Sequence, residues 1–216
     1  MEGTSARRIH KICVFCGSQH GKDKEFVEAA HNLGKLLAEK NIHLVYGGGS
    51  LGLMGCVASA AYLGGSKVLG IIPRPLAAKV ITGKTIGDEF RVSSMHERMV
   101  YILMNTDAFI ALPGGFGTLE EIFGVASWAQ LNIHQKPIGL LNVNNFFDPL
   151  IRFVDLAVEQ NFISPTARRN LLSASTAEEL INQLQAFVYQ PDPVASQIDW
   201  SEEENKKRKL DLTLRL

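Results

Sequence analysis

The sequence predicts an α/β protein built as a parallel sheet flanked by helices, and three observations predict it. Short runs rich in Val, Ile and Leu alternate with longer segments of helical periodicity. Those runs mostly lack polar alternation, as expected of strands covered on both faces. Two of them lead directly into glycine-rich turns, the strand ends at which such sheets hold ligands.

Taken in chain order, residues 9–16 are the first strand and 24–40 the first helix. A strand over 42–46 ends in the turn Gly47-Gly48-Gly49-Ser50-Leu51-Gly52-Leu53-Met54-Gly55, and a helix follows over 53–63. The strand at 67–72 leads into a loop over 73–88, marked by Pro73, Pro75, Gly83 and Gly87 and long enough to lie over a ligand. A helix over 95–105 and a strand over 108–112 precede the second turn, Pro113-Gly114-Gly115-Phe116-Gly117-Thr118-Leu119-Glu120-Glu121. The helix at 118–130, the strand at 137–141 and helices at 147–160 and 177–189 complete a Rossmann-like single domain over 8–189. Residues 190–216 read as a flexible tail. Its basic run, Lys206-Lys207-Arg208-Lys209, is first a solvated charge run and second a nuclear-import or docking segment.

Composition narrows the function. Of 216 residues 46% are hydrophobic, enough for a full core, and 22 basic side chains balance 22 acidic ones. No global field therefore invites nucleic acid or an anionic membrane. Without a signal peptide or spanning segment the chain reads as cytoplasmic, with a nuclear fraction if the tail acts as an import signal. Three cysteines make no disulfide framework. Cys13 and Cys16 have C-x-x-C spacing, but three residues along a strand they face opposite ways, which suits core thiols rather than one metal.

Both glycine turns read as phosphate cradles, with bare N–H groups and a helix N-terminus aimed at one space. Gly47-x-Gly49-x-x-Gly52 matches a dinucleotide fingerprint, but no Asp or Glu follows between Gly55 and Asp88 to hold a ribose; Arg74 alone is a weak substitute. No Lys-Ser or Lys-Thr closes either loop, which argues against ATP phosphoryl transfer. The second turn also delivers Glu121. Thr118-x-x-Glu121 is equally a capping box, yet after Pro-Gly-Gly-x-Gly the carboxylate is free to face a ligand. Arg98, in the first turn of a helix whose dipole opposes it, is the candidate partner for Glu121 and a phosphate. His96 reads as a neighbour rather than a base.

Together, the two turns and Met95-His96-Glu97-Arg98 resemble the lonely guy family of cytokinin riboside 5′-monophosphate phosphoribohydrolases. The resemblance runs from about residue 8 to 187 and takes in Ser127-Trp128-Ala129-Gln130-Leu131 and Phe162-Ile163-Ser164-Pro165. It implies a homodimer that cleaves N6-substituted AMP with water to free base and ribose 5-phosphate, with neither metal nor redox cofactor. It implies Arg98 and Glu121 as the catalytic pair. Substrate and phosphate binding would fall to Gly48, Gly49, Ser50, Met99, Pro113, Gly114, Gly115, Phe116, Gly117, Thr118, Leu119 and Glu120. Plant relatives usually carry Arg-Lys in place of Arg98-Met99 and a Glu where Val80 aligns, so two charges of opposite sign are lost together. Relatives have also been labelled lysine decarboxylases. That chemistry needs a Schiff-base lysine, and none occurs in either turn or in 95–98. Rival readings are a nucleosidase for plain AMP and a nucleotide-binding module without turnover.

Overall fold

Strands β1 (Lys11–Phe15), β2 (His43–Tyr46), β3 (Val68–Pro73), β4 (Asp88–Val92), β5 (Ala108–Ala111), β6 (Ile138–Leu141) and β7 (Leu171–Ala174) form one sheet. Its order is β4-β3-β2-β1-β5-β6-β7, and every neighbouring pair runs parallel. The computed structural model describes residues 8–77, 83–192, 195–198 and 200. Helices are α1 (Lys24–Glu39), α2 (Gly52–Leu63), α3 (Met95–Met104), α4 (Phe116–Gln130), α5 (Asp148–Glu159), α6 (Pro165–Arg169) and α7 (Ala177–Ala186).

The sheet separates two apolar layers. On one side Leu33 and Leu37 of α1, Val57 and Ala61 of α2 and Leu180 and Leu184 of α7 pack on Ile12, Leu44 and Ile110. On the other, Met99 and Ile102 of α3 and Ile122 and Val125 of α4 pack on Phe15, Val45 and Phe109. Burial on both faces explains why the central strands are continuous in Val, Ile and Leu. Cys13 and Cys16 fall into opposite layers as free thiols, and burial pushes both well above the ordinary thiol range.

The order of strands creates the site. Successive crossovers carry the chain from β1 outward to β4; it then returns to the middle, and β5 pairs with the free side of β1. The carboxyl ends of β1 and β5 thus flank the crevice where the winding direction reverses, the usual ligand position of doubly wound sheets. At the opposite, amino ends of the same two strands Asp107 clasps them together: its carboxylate accepts hydrogen bonds from the backbone N–H of His10 (2.8 Å) and Lys11 (2.9 Å).

The structure departs from expectation at the margins. The loop over 73–88 is shorter, because Asp88 opens an edge strand, β4, held in place by the Tyr46 hydroxyl, which donates to Ile86 O and accepts from Ile86 N. The other edge strand, β7, and the short helix α6, capped by the Ser164 hydroxyl, were likewise unforeseen. Helix α7 ends at Ala186 rather than 189. Tyr189 donates to Ala129 O (2.7 Å) in the last turn of α4 and the Trp200 indole to Leu131 O (2.8 Å) just beyond it, so both residues sit at the C-terminal end of that helix. Val80 and the basic run at 206–209 lie outside the described residues.

Candidate active site

Three loops meet above the reversal point and hold one another by backbone contacts. Gly17 N donates to Pro113 O (3.0 Å), and Leu53 N donates to Gly17 O (3.1 Å). Gly52 has φ +58 and lies so close to the loop after β1 that a Cβ there would fall 2.3 Å from Gln19 N. Only glycine satisfies both demands. A Cβ on Gly114 would meet Thr118 Oγ1 at 2.1 Å, so the second turn is folded tightly onto its own helix.

Between these loops opens a cavity of about 340 Å³. Its polar half comprises Ser18, Gly115, Gly117, Thr118, Arg98 and Glu121; its apolar half is Met54, Ile72, Pro73 and Leu76, with Phe116 at the rim. Helix α4 begins at Phe116 with Gly115 as its cap residue and no side chain capping it. Its first N–H groups and the positive end of its dipole are therefore available to an anion. This corrects one reading, since Thr118 does not begin the helix, and it removes the alternative in which Thr118-x-x-Glu121 is a capping box. Three residues later than Phe116–Thr118, Glu121 is already in the second turn, and its carboxylate turns to Arg98.

Arg98 is delivered by α3. Ser94 caps that helix, its hydroxyl accepting from Glu97 N (3.1 Å), while Glu97 accepts from the N–H and hydroxyl of Ser93. Those bonds hold the Glu97 carboxyl below its usual range, and they leave the adjacent Arg98 free to turn inward. Its Nε donates to Ile71 O (3.1 Å) and its Nη2 lies 2.6 Å from Glu121 Oε1. The pair is nearly dry, with side chains 12% and 8% exposed. Gly47 makes room for the guanidinium, since a Cβ there would sit 2.9 Å from Nη2. Burial pushes the Glu121 carboxyl up to about 7; Arg98 pulls it down and Glu120 adds a smaller upward push. Desolvation wins here because the whole side chain is taken from water.

The remaining expected site residues are distributed around this cavity. Pro113 and Gly114 line a neighbouring apolar pocket with Phe26, Leu53 and Phe146. Met99 is 6% exposed and packs in the core, its Cε facing Gly124. With His96 and Glu120 it borders a separate hollow beside Trp128. Leu119 is half-buried on α4. Of the first glycine turn, Gly47 and Met54 reach the cavity; Gly48 packs on Gly70 and Ile72, Gly49 is buried, and the Ser50 hydroxyl accepts from Lys84 N. Sequence reasoning missed Cys16, Gly17 and Ser18, whose signal was the apolar strand running into Gly-Ser. Among the described residues no three His, Cys, Asp or Glu side chains gather as a metal ligand set, and no lysine lines the cavity.

The chain is similar to known proteins along most of its length. A family described as "Possible lysine decarboxylase" matches residues 54–184. The cytokinin riboside 5′-monophosphate phosphoribohydrolase LOG7 of Arabidopsis thaliana is 51% identical over 202 residues, 94% of this chain and 93% of its own. LOG3 of the same plant is 48% identical, covering 94% of both chains. A probable enzyme of this name from Oryza sativa subsp. japonica, LOGL2, is 50% identical over 91% of this chain and 81% of its own. Among solved structures, the molybdenum cofactor binding protein of Rippkaea orientalis aligns with a TM-score of 0.62 at 23% identity, over 83% of this chain and 97% of that one. The Moco carrier protein of Chlamydomonas reinhardtii aligns with 0.60 at 20%, over 83% and 99%. At such identities these two share the fold alone.

Proposed function

The chain belongs to the lonely guy family of cytokinin riboside 5′-monophosphate phosphoribohydrolases, and from that membership we propose that it hydrolyses the N-glycosidic bond of N6-substituted AMP. The products are the free base and ribose 5-phosphate. The observation that carries the site assignment is the dry Arg98–Glu121 pair at the floor of a cavity that opens on the N-terminus of α4.

The cavity suits a nucleotide laid across the strand ends. Its phosphate end is the α4 N-terminus after β5, where Gly115, Gly117 and Thr118 stand. Its apolar end is Ile72, Pro73 and Leu76 after β3. In sheet order these ends are three strand spacings apart, roughly 14 Å. That span takes phosphate, ribose and purine in line, with the ribose over Arg98 and Glu121. Breaking the C1′–N9 bond leaves its electron pair on the base and positive charge on the sugar, as in glycoside hydrolysis. Glu121 stabilises that charge and takes a proton from the water whose oxygen bonds to C1′; the same proton then passes to the departing base, which leaves neutral and restores the carboxylate, a task matched by a carboxyl titrating near neutrality. Arg98 fixes the carboxylate and adds a cation toward the phosphate. Phosphate binding, remote from the bond, immobilises the sugar for attack.

The exposed apolar side chains Met95, Val100 and Met104 of α3 and Phe123 of α4 support a homodimer, which light scattering would test. No helix among the described residues is long and apolar enough to cross a membrane; we read the enzyme as cytoplasmic, with neither nucleic acid nor membrane as partner, testable by imaging a tagged chain and by fractionation. The decisive experiment for the reaction is a chromatographic assay of isopentenyladenosine 5′-monophosphate, AMP and the unphosphorylated riboside. Base release from the first, far above the other two, is expected. Equal release from AMP would make the chain a general nucleotide nucleosidase, and release from none would end the hydrolase reading.

A further inference from the structure

Among the described residues, one buried side-chain oxygen lacks a hydrogen bond, and it is Glu121 Oε1. Arg98 Nη2 touches it at 2.6 Å, but no N–H is aligned on it, and the guanidinium is held in that attitude by the bond from Nε to Ile71 O. Gly47 leaves the space the guanidinium fills, since a Cβ there would meet Nη2 at 2.9 Å and the Met54 sulfur at 3.3 Å. A buried carboxylate oxygen without a donor is costly, and proteins rarely keep one without a use. Here the residue lines the ligand cavity, so a ligand is the source of the missing donor.

The chemistry of that donor can be narrowed. A phosphate dianion has no proton to give, and its end of the cavity is the α4 N-terminus. The donors of a purine lie on the base, toward Ile72, Pro73 and Leu76. Between these ends lies the sugar, whose donors are hydroxyls. A carboxylate that also serves C1′ has the adjoining 2′-hydroxyl within the same reach. We infer that Glu121 Oε1 is the acceptor for the ribose 2′-hydroxyl, so that the site selects ribonucleotides over 2′-deoxyribonucleotides. The inference rests on the hydrolase reading only for the order in which phosphate, sugar and base lie. Glu121 thereby acts twice, on the reacting carbon and on the hydroxyl next to it. Such hydrogen bonds strengthen as positive charge grows on the sugar.

Binding tests this without turnover. Calorimetric titration of the unmodified protein with AMP, 2′-deoxy-AMP and 3′-deoxy-AMP is expected to show the 2′-deoxy ligand weaker by roughly 10- to 100-fold, the range for losing a bond to a charged acceptor. The 3′-deoxy ligand stays within about 3-fold of AMP on the same scale. In Glu121→Gln the 2′-deoxy penalty shrinks to a few-fold, because a neutral amide oxygen accepts more weakly. In Glu121→Ala, checked for folding by circular dichroism, it vanishes. Equal binding of AMP and 2′-deoxy-AMP by the unmodified protein overturns the inference. So does a penalty that survives unchanged in Glu121→Gln. A 2′-deoxy penalty without base release from any nucleotide would sink the hydrolase reading and leave this one standing. Base release with no ribose preference in binding would do the reverse.

Discussion

Replacing Glu121 with glutamine should separate stability from activity through pH. Burial raises the Glu121 carboxyl from the ordinary value near 4.5 to about 7 in the folded protein, against the opposing pull of Arg98. The folded state therefore binds a proton more tightly than the unfolded chain. The stability that this proton contributes is fully present below pH 4.5 and is lost as pH rises through 7. At about 1.4 kcal/mol per tenfold change in proton affinity, the loss is about 3 kcal/mol. Glutamine mimics the neutral acid at every pH and cannot suffer that loss. The stability gap between Glu121→Gln and the unmodified protein should thus shift by about 3 kcal/mol in favour of the variant between pH 4.5 and 8. For a chain of this size that corresponds to roughly 6 to 12 °C in Tm. Base release by the variant should fall at least 100-fold across the range, as expected on removing a group that stabilises the transition state. Urea unfolding at pH 5 and 8, followed by circular dichroism, measures the first quantity, and the product assay measures the second. Parallel pH profiles would refute the reasoning. So would a gap moving the other way, since it would mean that the ion pair with Arg98 outweighs desolvation.

Three further outcomes are expected. Arg98→Ala leaves a buried carboxyl without its cation; turnover should drop by about 100-fold or more, and an unchanged steady-state rate would return Arg98 to a packing role. Gly114→Ala places a Cβ 2.1 Å from Thr118 Oγ1 and 2.9 Å from Gly17 N. Since backbone must move, about 1–3 kcal/mol of stability and most of the phosphate affinity should go, read by calorimetry with ribose 5-phosphate. Trp200→Phe removes the bond to Leu131 O at the end of α4 and should cost about 1 kcal/mol in urea unfolding with base release unaffected.

The parts of this molecule that were legible in the sequence are those in which one physical demand governs many residues. The central strands had to be apolar on both faces, and the turns had to be glycine-rich to pack against one another, so both were visible as patterns. The edge strands obey other rules. In β4, Asp88-Glu89-Phe90-Arg91-Val92 carries charge on a sheet margin, where it discourages further pairing; its pattern resembles a loop. Strand β7 is four residues long and only partly buried. At the site, Glu121 and Arg98 were legible because each is chemically out of place, a carboxylate past a glycine turn and a cation against a helix dipole. What could not be read was which glycines serve the ligand. Gly48, Gly52 and Gly55 are there to let backbones touch, and a glycine needed for contact looks in sequence like one needed for binding. Met99 illustrates the same limit. It follows Arg98 directly, yet one step along a helix turns a side chain by about a quarter of the circumference, from the cavity into the core.

The pairing of β1 with β5 also has a consequence on the ribosome. β1 sits mid-sheet with β2 on one side, but its other partner begins 93 residues after Phe15, at Ala108. During synthesis at ordinary rates, β1 waits roughly 5 to 20 s with one apolar edge open. An exposed edge of Cys13-Val14-Phe15 is a template for another nascent chain. Expression yield should therefore depend on how the first half of the chain is sheltered before Asp107 arrives to clasp the start of β1, and slowing translation between the two strands should send more of the product to aggregates than slowing it after β5.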